Sequence, residues 1–199
     1  ADDNIGIGHN ALGGNVLGSN NVAIGNGALE EMNPATAVDM HNTAVGFEAG
    51  QKISTGTLNT LLGALAGDAL TVGGSNVSLG YFSLTADTKG SKSVAVGTAA
   101  LGDQNFTTAT DTFNVAIGQE AGRSITAGAF NNLIGGLAGD ALTLGTRNVV
   151  MGTSALSTDT LGSRSVAIGN SALNAQNFTT ATDVFNTAVG FAAGADITT

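Results

Sequence analysis

Apolar positions in this chain alternate with small or polar ones over short stretches, and each stretch is closed by a glycine. In Asn21-Val22-Ala23-Ile24-Gly25 the residues Val22 and Ile24 share one parity and Ala23 takes the other, the period of two that belongs to a strand. β-branched residues dominate the strand positions, which favours extended backbone. The glycine then turns the chain, and a second short segment ending in Ala-Leu or Ala-Gly (Ala28-Leu29, Ala49-Gly50) makes the return.

This unit repeats. NIGIGHNAL from Asn4, NVAIGNGAL from Asn21, NTAVGFEAG from Asn42, NTLLGALAG from Asn59, NVSLGYFSL from Asn76 and SVAVGTAAL from Ser93 are the first six cassettes. NVAIGQEAG from Asn114, NNLIGGLAG from Asn131, NVVMGTSAL from Asn148, SVAIGNSAL from Ser165 and NTAVGFAAG from Asn186 complete eleven. Successive cassette glycines, from Gly8 to Gly190, are 17 residues apart except at every fourth step, where the spacing is 21. Three short steps and one long step make a 72-residue block, present whole at 42–113 and 114–185 and in part at each end of a single repeat domain spanning 1–199. Asp39, Asp111 and Asp183 keep that superperiod, as do Asp87 and Asp159.

Seventeen residues are too few for two packed helices, whose solenoid repeats need roughly 33–47. They suit one β-coil. The pattern therefore predicts an all-β chain, a parallel β-solenoid of about eleven 17/21-residue coils, with a length on the order of 50 Å if coils stack at the inter-strand spacing. The first cassette residue, Asn in nine copies and Ser in two, predicts a hydrogen-bonded ladder along the axis. Glycine at each fifth position predicts a backbone conformation or a crowding limit that a side chain would violate. A roll filled by Val, Ile, Ala and Leu is thin, so a second buried surface is expected. The small-residue row Ala23, Ala44, Ala95, Ala116, Ala167 and Ala188 is the expected contact for neighbouring subunits, and a homotrimer follows from it.

Composition narrows the function. A net charge of −9 with six scattered cations argues against nucleic acid and against anionic membrane surfaces. The absence of cysteine removes disulfides, thiol catalysis and Cys-ligated zinc. No run of 18 apolar residues occurs, so no membrane insertion is expected of this segment. The chain opens on Ala1-Asp2-Asp3 and stops at Thr199 just after a cassette, as a piece of a longer fibre would.

SVAVG at Ser93 and SVAIG at Ser165 resemble the head repeats of trimeric autotransporter adhesins (YadA-like), and NTAVGFEAG and NTAVGFAAG are similar to repeats of bacteriophage tail fibres. The 17/21 spacing leans toward the phage type. The resemblance implies a left-handed β-roll assembled as a homotrimer, at a virion tip or on a bacterial cell surface, attached to a host glycan or protein receptor. On this reading the chain is a structural and adhesive segment, not an enzyme. The alternatives are the body of a polysaccharide-degrading tailspike, which needs an acidic cleft, and an ice- or surface-binding solenoid, which needs Thr at one place in every coil.

The lengthened coils are the candidate recognition sites, because loops on a rigid scaffold commonly carry binding. Phe106, Thr107, Thr108 and Asp111, with Phe178, Thr179, Thr180 and Asp183, combine aromatic, hydroxyl and carboxylate groups suited to a sugar. The competing reading has Phe113 and Phe185 plugging the core while the threonines cover an edge. One carboxylate per loop is too few for Ca²⁺, so Asp39, Asp111 and Asp183 are expected to cap turns. His9 and His41 lack partner patterns, and a packing role is expected for His41, which stands where the other blocks have Phe. No metal, cofactor or catalytic residue is nominated.

Overall fold

The eleven cassettes become eleven three-residue strands, from Ile5–Ile7 to Thr187–Val189, each paired in parallel with the strand one coil on. The computed structural model describes residues 1–199 and contains no helix, hence none long and apolar enough to cross a membrane. Register never slips. Gly6, Ala23, Ala44, Leu61 and Ser78 stand one above another in the first half, and Ala116, Leu133, Val150, Ala167 and Ala188 in the second. The three lengthened coils add short parallel ladders, Gly18–Ser19 with Val38–Asp39, Gly90–Ser91 with Thr110–Asp111, and Gly162–Ser163 with Thr182–Asp183.

The alternation within each strand is as the sequence predicts, but its direction is reversed. Ala23, Ala44, Ala95, Ala116 and Ala167 are fully buried inside the roll, and Ala188 nearly so, whereas the flanking Val and Ile residues face outward. The alanine row is therefore not a surface for neighbouring subunits. The reason is the width of the coil. The opposite wall sends a large residue across, leaving the sheet wall room for little more than a methyl group.

That large residue comes from one of two places. Where the ninth cassette residue is Leu, as at Leu29, Leu84, Leu101, Leu156 and Leu173, it fills the centre itself. Where it is Gly, as at Gly50, Gly67, Gly122 and Gly139, the side chain three residues on does so: Ile53, Leu70, Ile125 and Leu142. Leu61 and Leu133 are the largest sheet residues, and each occupies the space that two of those glycines leave. A Cβ on Gly50 would lie 2.6 Å from Leu61 Cδ1, and one on Gly122 2.5 Å from Leu133 Cδ1. Interiors at crystal-like density tolerate no such overlap.

Each cassette's fifth residue, from Gly8 to Gly190, has φ between 129° and 144°, a region closed to side chains. In the first ten, a Cβ would also fall 2.3–2.7 Å from the backbone of the next coil's equivalent glycine. Both expectations for this position hold together. Twenty-seven non-glycine residues also take left-handed φ, between 49° and 62°, at about 1 kcal/mol each or more. Coil-to-coil bonds within the turns offset this, for example Leu29 N–H to Ala49 O at 3.1 Å and Gly50 N–H to Ala66 O at 3.0 Å.

The Asn ladder is present and buried. Asn59 N–H donates to Asn42 Oδ1 (3.0 Å), Asn76 N–H to Asn59 Oδ1 (3.0 Å) and Ser93 N–H to Asn76 Oδ1 (2.9 Å), while each Asn side-chain amide donates to a glycine carbonyl 14 residues on. Beside each lengthened coil of the later blocks the Asn gives way to Ser, and a fully buried polar set fills the gap. Gln104 Nε2 donates to Asp87 Oδ2 (2.6 Å) and to Ser93 Oγ (3.0 Å), and Gln104 Oε1 accepts from Asn114 Nδ2 (2.8 Å). Gln176, Asp159, Ser165 and Asn186 repeat this arrangement. In the first block Asn15, Asn21 and Met32 hold the corresponding places, with Asn15 closing on the backbone of Gly18 instead.

Candidate functional site

The lengthened coils expose six of the eight side chains expected and withdraw the two aromatic ones. Phe106 is buried, its N–H donating to Asp87 Oδ1 (3.1 Å) and its carbonyl accepting from Thr88 Oγ1 (3.0 Å). Phe178 is half-buried in the same bonds, to Asp159 and Thr160. Neither ring is freely presented to a ligand. Thr107, Thr108, Thr179 and Thr180 are exposed, as are Asp111 and Asp183. Phe113 and Phe185 are exposed too, at 46% and 66%, so they do not plug the core, and His41 in the same place is exposed rather than packed.

Phe113 and Phe185 belong to a column formed by the residue before each cassette. Every residue of it has a left-handed φ, between 50° and 62°, and from His41 to Phe185 each is exposed on the outside of the roll. Along it Lys92 Nζ lies 5.2 Å from the centroid of Phe113, which stacks on Phe130 at 5.6 Å and 19°. Arg147 covers Phe130 at 5.1 Å, and Arg164 lies 5.5 Å from Phe185. The aspartates bind these cations rather than capping turns: Asp111 Oδ2 is 2.6 Å from Lys92 Nζ, and Asp183 Oδ1 is 2.9 Å from Arg164 Nε. Exposed ion pairs and cation–π contacts contribute at most about 1 kcal/mol each. They align Lys92, Phe113, Phe130, Arg147, Arg164 and Phe185 along the last six coils. The sequence carried the signal, since Lys92, Phe113, Phe130, Arg147, Arg164 and Phe185 all precede a cassette's first residue.

No group of three His, Asp or Glu side chains is arranged to hold a metal ion. One titratable group stands out. Burial pushes the Asp140 carboxyl above its ordinary value, and the Glu120 charge acts in the same sense. Its Oδ1 is the one buried side-chain polar atom without a hydrogen-bond partner, whereas Asp68, one block earlier, accepts from Thr85 Oγ1 at 2.5 Å.

Comparison with family models, curated proteins and solved structures gives no match for this chain.

Proposed function

We propose that the chain is the shaft or head segment of an adhesive fibre that assembles as a homotrimer and attaches to a host-surface glycan or protein receptor. A phage tail fibre at the virion tip, or an adhesin on a bacterial surface, is the setting this implies. The observation that carries the reading is the outward apolar face of the sheet. Ile5, Ile7, Leu62, Val77, Leu79, Ile117, Met151 and Val189 are all at least 38% exposed and run the length of the rod. A continuous apolar band of this kind marks an interaction surface.

The occupant the pattern favours is a second copy, because a face repeating coil by coil meets its own repeat in register. Lys92, Arg164 and Glu120 are held in ion pairs within the chain, which leaves Arg147 on one flank and Glu48 past the glycine turn to meet between copies. Such a flank-to-flank contact is heterologous and closes as a ring. Light scattering of the intact protein is expected to give three chains, and Leu79→Asp with Ile117→Asp is expected to reduce it to one. A wild type that is monomeric at all concentrations refutes the assembly. Binding of the labelled protein to host cells, alongside a reducing-end assay on capsular polysaccharide, tests attachment against depolymerisation.

A further inference from the structure

On the turn that follows the sheet, three successive coils enclose a cleft of about 350 Å³, lined by Tyr81, Phe82 and Thr85 from one coil, Thr98 and Asp103 from the next, and Arg123 from the third. Tyr81 and Phe82 meet edge to face, with centroids 4.2 Å apart and planes at 84°, so the two rings form a corner. Tyr81 is 52% exposed, in a chain with no other tyrosine and no tryptophan. The left-handed backbone at Phe82 (φ 57°) allows two adjacent aromatic residues to form that corner.

A second hollow on the same face, at Gln119, Gly136 and Thr153, has no aromatic wall, and the set of side chains lining the Tyr81 cleft occurs once. One block later the places of Tyr81, Phe82, Asp103 and Arg123 are taken by Thr153, Ser154, Ala175 and Ala195, and one block earlier by His9, Asn10, Glu31 and Gln51. Over the same coils the large interior residues are copied, Leu84 as Leu156, Asp87 as Asp159 and Gln104 as Gln176, while the buried Ser78 and Ser83 become Val150 and Ala155. Solenoid stability therefore does not require the aromatic corner, the carboxylate and the guanidinium together. Their joint appearance at one place is independent of the fold.

We infer that this cleft binds a neutral pyranose. Its size falls at the lower end for small-ligand sites, which combine apolar walls with a few convergent polar groups. The electron-rich face of an aromatic ring accepts the C–H face of a sugar. Around it Asp103 accepts from hydroxyls, Arg123 donates, and Thr98 does either. Thr85, whose Oγ1 proton is given to Asp68, accepts. The balance of charge decides the class of sugar. Asp103 lines the cleft, and its one cation, Arg123, already reaches Glu120 Oε2 at 3.3 Å, so the carboxylate of an acidic sugar finds no unpaired cation there. The proposal rests on the attachment reading only for the source of the sugar, a surface glycan.

Tyr81 is its own probe, because all tyrosine fluorescence of the chain comes from the cleft. The intact protein is titrated with the methyl pyranosides of glucose, galactose, mannose and N-acetylglucosamine, and with methyl glucuronide. At least one neutral glycoside is expected to change the emission saturably, with binding weakened about tenfold by Asp103→Ala, the loss of one charged hydrogen bond. Saturation-transfer NMR is expected to show the same for Tyr81→Ala, which is dark in fluorescence. No saturable response to any neutral glycoside, a response to the glucuronide alone, or full binding by both variants overturns the proposal. Adherence to host cells is measured in parallel. Adherence without sugar binding defeats the cleft and leaves the attachment reading, and sugar binding without adherence does the reverse.

Discussion

Replacing Asn59 by Ala tests whether the buried Asn column, rather than apolar packing alone, holds coil to coil. Asn59 accepts from Asn76 N–H at 3.0 Å and donates through Nδ2 to Gly73 O at 3.0 Å and to Asn42 Oδ1 at 3.1 Å. Its own N–H keeps its bond to Asn42 Oδ1 in the variant. The substitution orphans an amide proton and a carbonyl in residues that are both buried. At about 2 kcal/mol for each abandoned group the expected loss is about 4 kcal/mol, well above an ordinary substitution. Chemical unfolding followed by circular dichroism, at fixed protein concentration because assembly would shift the midpoint, reads the global loss. Amide exchange at Asn76 reads the local one, which matters in a quasi-one-dimensional fold whose coils open separately. The exposed Asn26→Ala serves as control and is expected to stay within about 0.5 kcal/mol. A loss below about 1 kcal/mol, or unchanged protection at Asn76, would show that the column is incidental.

Gly63→Ala places a methyl 2.6 Å from Gly80 O at φ 135°, and is expected to cost more than about 3 kcal/mol or abolish cooperative melting. Gly136→Ala, whose Cβ would find nothing nearer than 4.0 Å, is expected to melt like wild type. Gln104→Met takes the partner of Asp87 Oδ2 while Oδ1 keeps the N–H groups of Gly90 and Phe106, and is expected to cost about 2 kcal/mol, whereas Asp87→Asn combined with it places the first block's Asn15 and Met32 at these positions and is expected to recover most of that loss in a double-mutant cycle. Asp140, whose folded carboxyl lies above its ordinary value of 3.8, binds its proton more tightly folded than unfolded. Its stabilising contribution is present below 3.8 and is lost as pH rises through the folded value, so Asp140→Asn is expected to match wild type in acid and to be the more stable at neutral pH, measured as melting temperature against pH.

The sequence was enough for the coil, its length and its ladder, because those features recur eleven times and a period is legible without knowing direction. Direction is what parity alone left open. Val22 and Ile24 look like core residues by composition, yet Lys92, Arg147 and Arg164 stand two residues before an outward Val and share its parity. A column containing charges at three coils belongs to solvent, and that would have turned the alanines inward. The burial of Phe106 was not legible, because it depends on Asp87, one coil away, presenting an oxygen to its N–H. Nor was the Tyr81 cleft, which is assembled from residues up to 42 positions apart that only the winding brings together.

The set of Asp87, Ser93, Gln104 and Asn114 spans three consecutive coils, each member supplying what the next one lacks. Removing or inserting a single coil inside it would leave buried polar groups facing apolar ones, whereas copying a whole block returns every group to its partner. A rod built in this way changes length in quanta of four coils, about 19 Å at the inter-strand spacing. Its lengthened coils then recur at that same interval, so whatever side chains they present are repeated at a fixed pitch. Reach and the number of lengthened coils are thereby tied to one duplication event.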